Sequence, residues 1–155
     1  MQWRSDNGRD GVREEGGICS EEEFKYIARD DTCRASCCGK NYDANKGYKA
    51  VTKHSSSALE SATAEGCVSI GIEADQTAFQ HYSSGVLTGT CGTRIDHGVL
   101  VVGYGTSGSQ KYWKVKNSWG ETWGQRGYIL ICRDCGKNGN QGECGILDEP
   151  NVPTY

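Results

Sequence analysis

The sequence lacks any hydrophobic run of the length that a membrane-spanning helix requires. Its longest apolar run, residues 98–103, falls far short of the roughly 20 residues that such a helix needs. An excess of basic residues is absent as well, because 17 Lys and Arg stand against 20 Asp and Glu and the net charge is −3. We therefore expect neither a membrane partner nor a nucleic-acid partner.

The first residues of the chain lack the apolar core of a secretory signal peptide. Residues 1–15 carry seven charged side chains and little to bury, so we expect them to be disordered. The nine cysteines, by contrast, are typical of a compartment in which disulfides form. Their odd number leaves at least one without an internal partner. A secreted-type cysteine content without a signal predicts that a front segment of the protein is missing.

Hydrophobic periodicity predicts one helix followed by several strands. The stretch SALESATAEG is the clearest helix, with Ser57 and Glu60 as its capping box and Gly66 at its end. A short helical turn is expected in QTAFQHY. Strands are predicted in VSIGIEA, HGVLVVGYG, KYWKVKN and GYILIC, residues 68–74, 97–105, 111–117 and 127–132. This order indicates the α+β class with an antiparallel sheet or barrel.

His97 and Asn117 lie at the open end of a predicted β-hairpin. Taken singly, His97 is an ordinary polar residue at a sheet edge and Asn117 an ordinary turn residue. Antiparallel pairing, however, returns the end of the second strand to the start of the first, so the two side chains should face each other. The Asn carbonyl then accepts a hydrogen bond from one imidazole N–H, which fixes the tautomer and aims the other nitrogen at a nucleophile. Trp119 would shield that bond from water.

The segments CGTRIDHGVLVVGYG and KYWKVKNSWGETWGQRGYI, with CGI near the C-terminus, resemble the papain-like cysteine peptidases, the cathepsin family. Weaker similarity extends back to GGICSEEEFKYIARDDTC. The resemblance implies a papain-like fold of two lobes with the active site between them. It implies that His97 is the catalytic base and Asn117 its orienting partner. It also implies that Trp119 covers this pair and that Trp123 lines the leaving-group side of the cleft.

The nucleophilic cysteine of this family has no counterpart in the sequence. Family members carry it in C-G-[SA]-C-[WY], with the His and Asn about 130–150 residues downstream. None of the nine cysteines lies in such a motif, and SCCGK, residues 36–40, lacks the aromatic residue and is too near His97. The family glutamine that donates to the oxyanion is also without a counterpart. We therefore expect the nucleophile upstream of Met1, on a helical lobe that is largely absent.

The resemblance divides the chain into three segments. Residues 1–15 form a charged start that does not match the family. Residues 16–48 correspond to the loop-rich tail of the helical lobe. Residues 49–155 correspond to the C-terminal lobe, which in the family is antiparallel and barrel-like.

The resemblance also implies some cysteine pairings. Cys91 is expected to pair with Cys144, tying the approach to the active site to the C-terminal segment. Cys33 matches a family cysteine whose partner lies in the absent segment. Cys19 with Cys37 or Cys38 is a plausible local bridge.

Three further cysteines, Cys67, Cys132 and Cys135, depart from the family pattern. Because Cys67 precedes one strand and Cys132 ends another, these two are candidate neighbours. The C-x-x-C spacing of residues 132–135 leaves a zinc site as an alternative, but such a site needs a second pair of ligands at matching spacing. We favour structural thiols or disulfides, and we expect no metal and no cofactor.

A substrate pocket follows from the resemblance alone. Matching the motifs puts Gly71, Ile95, Asp96 and Gly98 near the pocket for the side chain two residues before the scissile bond, with Glu149 at its floor. The alternative is that Glu149 is a solvated surface residue. An acid in the pocket implies that Arg is accepted as well as bulky apolar groups, because a carboxylate and a guanidinium form a charge-assisted pair.

The function that these features predict is that of a cysteine endopeptidase, of which this chain is the C-terminal part and which alone is inactive. The alternatives are a catalytically dead homologue that binds peptides or inhibitors, and a non-functional fragment. The expected partners are peptide or protein substrates, the upstream helical lobe, and a propeptide or a cystatin-like inhibitor. The family and the cysteine content indicate a lysosomal, vacuolar or secreted location.

Overall fold

A computed structural model describes residues 20–27, 29, 32, 46–89, 91–136 and 138–155 of the chain. The chain divides into two compact units, of which the larger is Lys49–Val152 and the smaller includes Pro153–Tyr155 and chain that precedes Lys49. Within the smaller unit, the amide N–H of Lys46 donates to the Thr154 carbonyl at 2.8 Å. The expected disorder of residues 1–15 and the proposed partners of Cys19, Cys33, Cys37 and Cys38 lie outside the described residues.

The predicted helix is present as α1, Ser56–Glu65, but its cap differs from the expectation. Ser55 is the N-cap, and its side chain accepts the Ala58 N–H at 3.2 Å. The predicted capping box at Ser57 and Glu60 is therefore wrong. A serine one position before the helix satisfies the free N–H groups of the first turn, whereas Ser57 already lies within that turn. Gly66 ends the helix as predicted, with its N–H bonded to the Ala62 carbonyl at 3.1 Å.

The described residues form one seven-stranded sheet in the order β1-β7-β2-β4-β5-β6-β3. Strands β2, β4, β5 and β6 pair antiparallel in that sequence, β7 is antiparallel to β2, and β3 runs parallel to β6. The mostly antiparallel sheet with few helices confirms the α+β prediction. The strands are β1 Gly47–Ala50, β2 Val68–Ile72, β3 Val86–Leu87, β4 His97–Ser107, β5 Gln110–Lys116, β6 Tyr128–Cys132 and β7 Asn151–Thr154.

The hairpin of β4 and β5 is longer than predicted and contains a bulge. Its pairing reaches Ser107 opposite Gln110, so a two-residue turn with Gly108 at φ +61° replaces the longer turn expected from the sequence. The register shifts between Val101 and Gly103, which places one extra residue in β4. Gly105 lies where an added Cβ would come within 2.6 Å of the Tyr112 hydroxyl. A larger residue at this position would have to displace the Tyr112 side chain.

The hydrophobic core lies against one face of the sheet. Alternate residues of β2 are buried, as are alternate residues at the start of β4, and this is the pattern of a sheet with one packed face. A short helix α2, Thr77–Gln80, contributes the fully buried Phe79. Among the described residues, no helix is long and apolar enough to cross a membrane. The largest fully buried side chains are Trp113, Phe79, Leu59, Ile72, Ile129, Ile131 and Ile146.

Two disulfides are present in the described part of the chain, Cys91–Cys144 and Cys132–Cys135. Cys132 thus bonds to Cys135, and Cys67 is a free, exposed cysteine. The suggested proximity of Cys67 and Cys132 leads to no bridge between them. The segment that follows Cys135 contains two single 3₁₀ turns, Gly139–Gln141 and Glu143–Gly145.

Candidate active site

The β4–β5 hairpin brings His97 and Asn117 together. His97 is the first residue of β4, and Lys116 at the end of β5 pairs with Leu100, so Asn117 lies beside the start of β4. The Asn117 amide N–H donates to the Gly127 carbonyl at 2.9 Å, which holds its backbone. The distance from His97 Nε2 to Asn117 Oδ1 is 2.8 Å. The two side chains therefore face each other, as hairpin pairing predicts.

A neighbouring backbone donor fixes the tautomer of the imidazole. The Ser118 N–H donates to Asn117 Oδ1 at 2.7 Å, and a backbone N–H can only donate, so this atom must be the amide oxygen. The atom that faces it, His97 Nε2, must then carry a proton. In the neutral ring the basic nitrogen is consequently Nδ1. Both side chains are buried, at 9% and 7% exposed, so this hydrogen bond lies largely out of water.

An aromatic cluster surrounds the imidazole. The rings of Trp119 and His97 lie 5.1 Å apart, and Phe79 packs edge-on against both. Trp123 contacts Phe79 at 5.1 Å, and its indole N–H donates to the Gln80 carbonyl at 3.0 Å. Trp119 remains 41% exposed. The predicted pair of tryptophans thus lies beside His97, with an aromatic surface open to solvent, and α2 supplies a supporting ring that the sequence did not single out.

A buried carboxylate holds the loop that leads into His97. Glu73 follows β2, is 6% exposed, and accepts the backbone N–H of Arg94 and the side-chain amide of Gln76. Gly92 passes so close that an added Cβ would lie 2.5 Å from the Glu73 carboxylate. Sequence reasoning missed this contact, because an acid in an alternating strand pattern gives no sign of burial. The close approach at Gly92 exists only in the folded structure, so the sequence carried no signal of it.

Four of the five predicted pocket residues lie together. Gly71 and Gly98 are cross-strand partners in β2 and β4. A Cβ added at Gly71 would lie 2.5 Å from the Ile95 side chain and 3.5 Å from Glu149 Oε2. A side chain at Gly71 would therefore overlap Ile95, and the exposed Glu149 carboxylate lies close to the same position. The Asp96 carboxylate instead accepts the Ala74 N–H at 2.8 Å.

The Cys91–Cys144 disulfide joins the loop before His97 to the C-terminal 3₁₀ turn. Beside it, the Glu143 carboxylate is 2% exposed and accepts the Gly89 N–H at 2.6 Å. Within the described part of the chain, the one group of His, Cys and acidic donors close enough to share a metal consists of these three side chains. The disulfide occupies both sulfurs, so the group offers no thiolate ligand.

Comparison with known proteins assigns the chain to a family. The model for papain family cysteine proteases matches residues 5–154. A probable cysteine protease RD21C of Arabidopsis thaliana is 43% identical over 144 residues, which is 92% of this chain and 31% of that protein. Cysteine proteinase EP-B 1 of Hordeum vulgare is 41% identical over 152 residues, 96% of this chain and 40% of that protein. The chain therefore belongs to the papain family of cysteine proteases.

Solved structures give the same assignment for the fold. The bromelain protease of Ananas comosus, in complex with the E64 inhibitor, superposes with a TM-score of 0.85 at 34% identity and covers 94% of this chain and 66% of that one. The Amb a 11 cysteine protease of ragweed pollen, in its proform, gives 0.85 at 36% identity and covers 94% and 44%. The papain-like fold expected from the sequence is thereby confirmed. The chain spans between about 30% and 40% of the curated relatives it matches.

Proposed function

We propose that this chain is the C-terminal part of a cysteine-type endopeptidase and contributes its catalytic base. The observation that carries the proposal is the buried hydrogen bond between His97 Nε2 and Asn117 Oδ1. It sets the imidazole in the tautomer that a thiol-activating base requires. Membership of the papain family supports this assignment.

In the proposed mechanism, Nδ1 of His97 takes the proton of a cysteine thiol on the upstream helical lobe. The resulting thiolate attacks the carbonyl carbon of the scissile peptide, and the imidazolium then gives its proton to the leaving amine. Water, deprotonated by His97, hydrolyses the acyl-enzyme and releases the second product. Throughout, Asn117 holds the ring through Nε2–H, and Trp119 limits the access of water to that hydrogen bond.

Substrate selection is proposed to depend on the space beside Gly71 and Gly98. Ile95 forms an apolar wall, and the Glu149 carboxylate lies at the other side of Gly71. Arg and bulky apolar side chains both suit this arrangement, since the carboxylate pairs with a guanidinium and can turn to water when an apolar group enters. Trp123 is proposed to line the leaving-group side, and Asp96 to stiffen the backbone beside the pocket through Ala74.

The proposed partners follow from the proposed peptidase function. They are protein or peptide substrates, the helical lobe that carries the nucleophile, and a propeptide, for which the ragweed relative in its proform is a precedent. A cystatin-like inhibitor would bind the same cleft. The plant proteases among the relatives and the disulfides support a lysosomal, vacuolar or secreted location.

Sequencing the 5′ end of the transcript tests the proposal. We expect an in-frame C-G-[SA]-C-[WY] motif upstream, and a chain produced with that segment should cleave a fluorogenic Phe-Arg amide. His97→Ala should abolish this activity, whereas His81→Ala, which changes an exposed histidine, should retain it. The 155-residue chain alone should be inactive. A native protein whose mass corresponds to a start near Met1, and which binds peptides without cleaving them, would favour the alternative of a dead homologue.

A further inference from the structure

The Cys132–Cys135 disulfide lies outside the proposed peptidase site and has no role in it. It closes a C-x-x-C loop of three-residue separation directly after β6. The two sulfurs differ in accessibility. Cys132 is 2% exposed, whereas Cys135 is half-buried and lines a surface cavity of about 480 Å³. A small molecule in this cavity can therefore approach the bridge from the side of Cys135.

Polar groups surround the bridge. The side-chain amide of Gln110 donates to Cys132 Sγ at 2.9 Å and to Cys135 Sγ at 3.0 Å. Lys111 also lines the cavity, and its ammonium lies 3.8 Å from the Asp134 carboxylate. Hydrogen-bond donors and cations next to a cysteine favour its thiolate form. A sulfur that leaves this bridge is thus stabilised as a thiolate mainly by Gln110, since Asp134 offsets Lys111.

Arg133, the first of the two residues between the cysteines, is anchored independently of the bridge. The Arg133 backbone N–H donates to the Lys111 carbonyl at 3.0 Å. Its buried guanidinium lies 2.7 Å from the Glu60 carboxylate and stacks over the rings of Tyr104 and Trp113. These contacts do not involve the S–S bond, so we expect the loop to keep its place and the protein to remain folded when the bond opens.

We propose that Cys132–Cys135 is a thiol-exchange site for low-molecular-weight thiols. A thiolate RS⁻ attacks Cys135 Sγ, the S–S bond breaks, and Cys132 leaves as a thiolate beside the Gln110 amide. Cys135 now carries the RS group as a mixed disulfide. A second RS⁻ attacks the sulfur of this RS group, which releases RSSR and the Cys135 thiolate. Two small thiols are oxidised to one disulfide, and the protein disulfide is reduced to a dithiol.

The Cys91–Cys144 bridge is the matched control within the same chain. Its cysteines are 7% and 0% exposed, and it closes a loop of 53-residue separation. A buried sulfur is protected from attack by a dissolved thiolate, because the rate of exchange depends on access to the sulfur. Reduced glutathione should therefore distinguish between the two bridges.

The test treats the folded chain with reduced glutathione, quenches with iodoacetamide and maps the alkylated cysteines by peptide mass. We expect Cys132 and Cys135 to be labelled on the order of tenfold faster than Cys91 and Cys144, with the circular dichroism spectrum unchanged. Gln110→Glu removes the donor and should slow the labelling several-fold, whereas Gln125→Glu at the surface should not. Equal rates for the two bridges, or labelling only after unfolding, would overturn the proposal.

Variants in which serine replaces one cysteine of the pair test which sulfur is attacked. With oxidised glutathione, Cys132→Ser should acquire one glutathione on Cys135, because no neighbouring thiol remains to displace it. Cys135→Ser should leave the buried Cys132 unmodified. Both variants carry Cys67→Ser, which removes the free, exposed thiol found among the described residues. A glutathione adduct on Cys132 in preference to Cys135 would contradict the assigned direction of attack.

Discussion

At the scale of single residues, the side-chain amide of Asn117 holds the imidazole of His97 in one tautomer and one orientation. Its oxygen accepts two N–H groups, from His97 and from Ser118, so neither the amide nor the imidazole is free to flip. The backbone of Asn117 is held in turn by Gly127. A single side chain thereby determines the protonation pattern of the proposed base.

Asn117→Ala should free the imidazole to rotate and to exchange tautomers. In the enzyme produced with its upstream segment, we expect kcat/KM to fall roughly 5- to 160-fold, which corresponds to about 1–3 kcal/mol, the cost of leaving a buried donor without a partner. Asn117→Asp keeps the acceptor and should lose less. In the 155-residue chain, nitrogen-15 NMR should show a protected Nε2 proton on His97 that disappears in Asn117→Ala. Loss of activity without this spectral change would point to misfolding instead.

Glu149→Ala should slow the cleavage of substrates that carry Arg two residues before the scissile bond. The cleavage of substrates that carry Phe at that position should be unchanged. The bound guanidinium desolvates the carboxylate, so a loss of about 2 kcal/mol in kcat/KM is expected for Arg alone. Glu65→Ala, at the exposed end of α1, is the control. Equal losses for both substrates would mean that Glu149 does not line the pocket.

Residues with a chemical signature were predictable from the sequence, and residues whose importance comes from burial were not. His97 and Asn117 stood out because hairpin pairing relates them. Glu73 and Glu143 are as buried as the proposed catalytic pair. From the sequence, however, an acidic residue is predicted to lie at the surface. Their burial depends on backbone N–H groups of Gly89 and Arg94 that only the folded loops bring near.

At the scale of secondary structure, the start of α1 shows how local competition decides a boundary. Three consecutive serines, residues 55–57, lie at the start of α1, and each is a chemically suitable cap. The backbone of Ser55 is extended and its side chain reaches the Ala58 N–H, while Ser57 bonds the Ser55 hydroxyl at 3.2 Å. The capping-box spacing from Ser57 to Glu60 favoured the wrong serine, and only the folded backbone distinguishes Ser55.

The N-cap at Ser55 leads to a prediction about stability, for which Ser57 provides the control. Ser55→Ala should lower the free energy of unfolding by about 1 kcal/mol, because one N–H of the first turn loses its partner. Ser57→Ala should change it by less than about 0.5 kcal/mol, as for most surface positions. Urea denaturation followed by circular dichroism provides the measurement. A larger effect at Ser57 would restore it as the cap.

Long apolar strands were predictable, and irregularities within them were not. The positions of β2, β4, β5 and β6 follow from their hydrophobic patterns. The bulge after Val101 and the pairing of β3 with β6 depend on contacts between distant segments, which leave no periodic trace. The same holds for β7, whose strand NVPT includes a proline and has no alternating pattern.

At the scale of the whole molecule, the aromatic cluster around His97 leaves an apolar surface uncovered in the described part of the chain. Trp119 is 41% exposed, and Trp123 is partly exposed beside it. Apolar patches of this kind promote association when no partner covers them. The upstream helical lobe is the partner that the family fold implies.

The 155-residue chain alone should therefore self-associate in a concentration-dependent manner. Trp119→Gln should shift sedimentation towards the monomer without changing the secondary structure, because it removes apolar area from the cluster. Tyr155→Gln removes an aromatic side chain that is 80% exposed elsewhere and should leave the association unchanged. A monomeric chain with a sharp, cooperative thermal transition would instead identify a self-sufficient domain.

The length of the β4–β5 hairpin separates two kinds of chemistry. His97 and Asn117 lie at its open end, and Gln110, with the disulfide it contacts, lies at its turn. The seven residues of β5 span about 20 Å at a rise of roughly 3.4 Å per residue. A reagent bound at one end therefore cannot reach the other. The imidazole at one end and the disulfide at the other can be treated with different reagents in the same sample. If modification of one end changes the reaction rate at the other, the effect is transmitted through the hairpin.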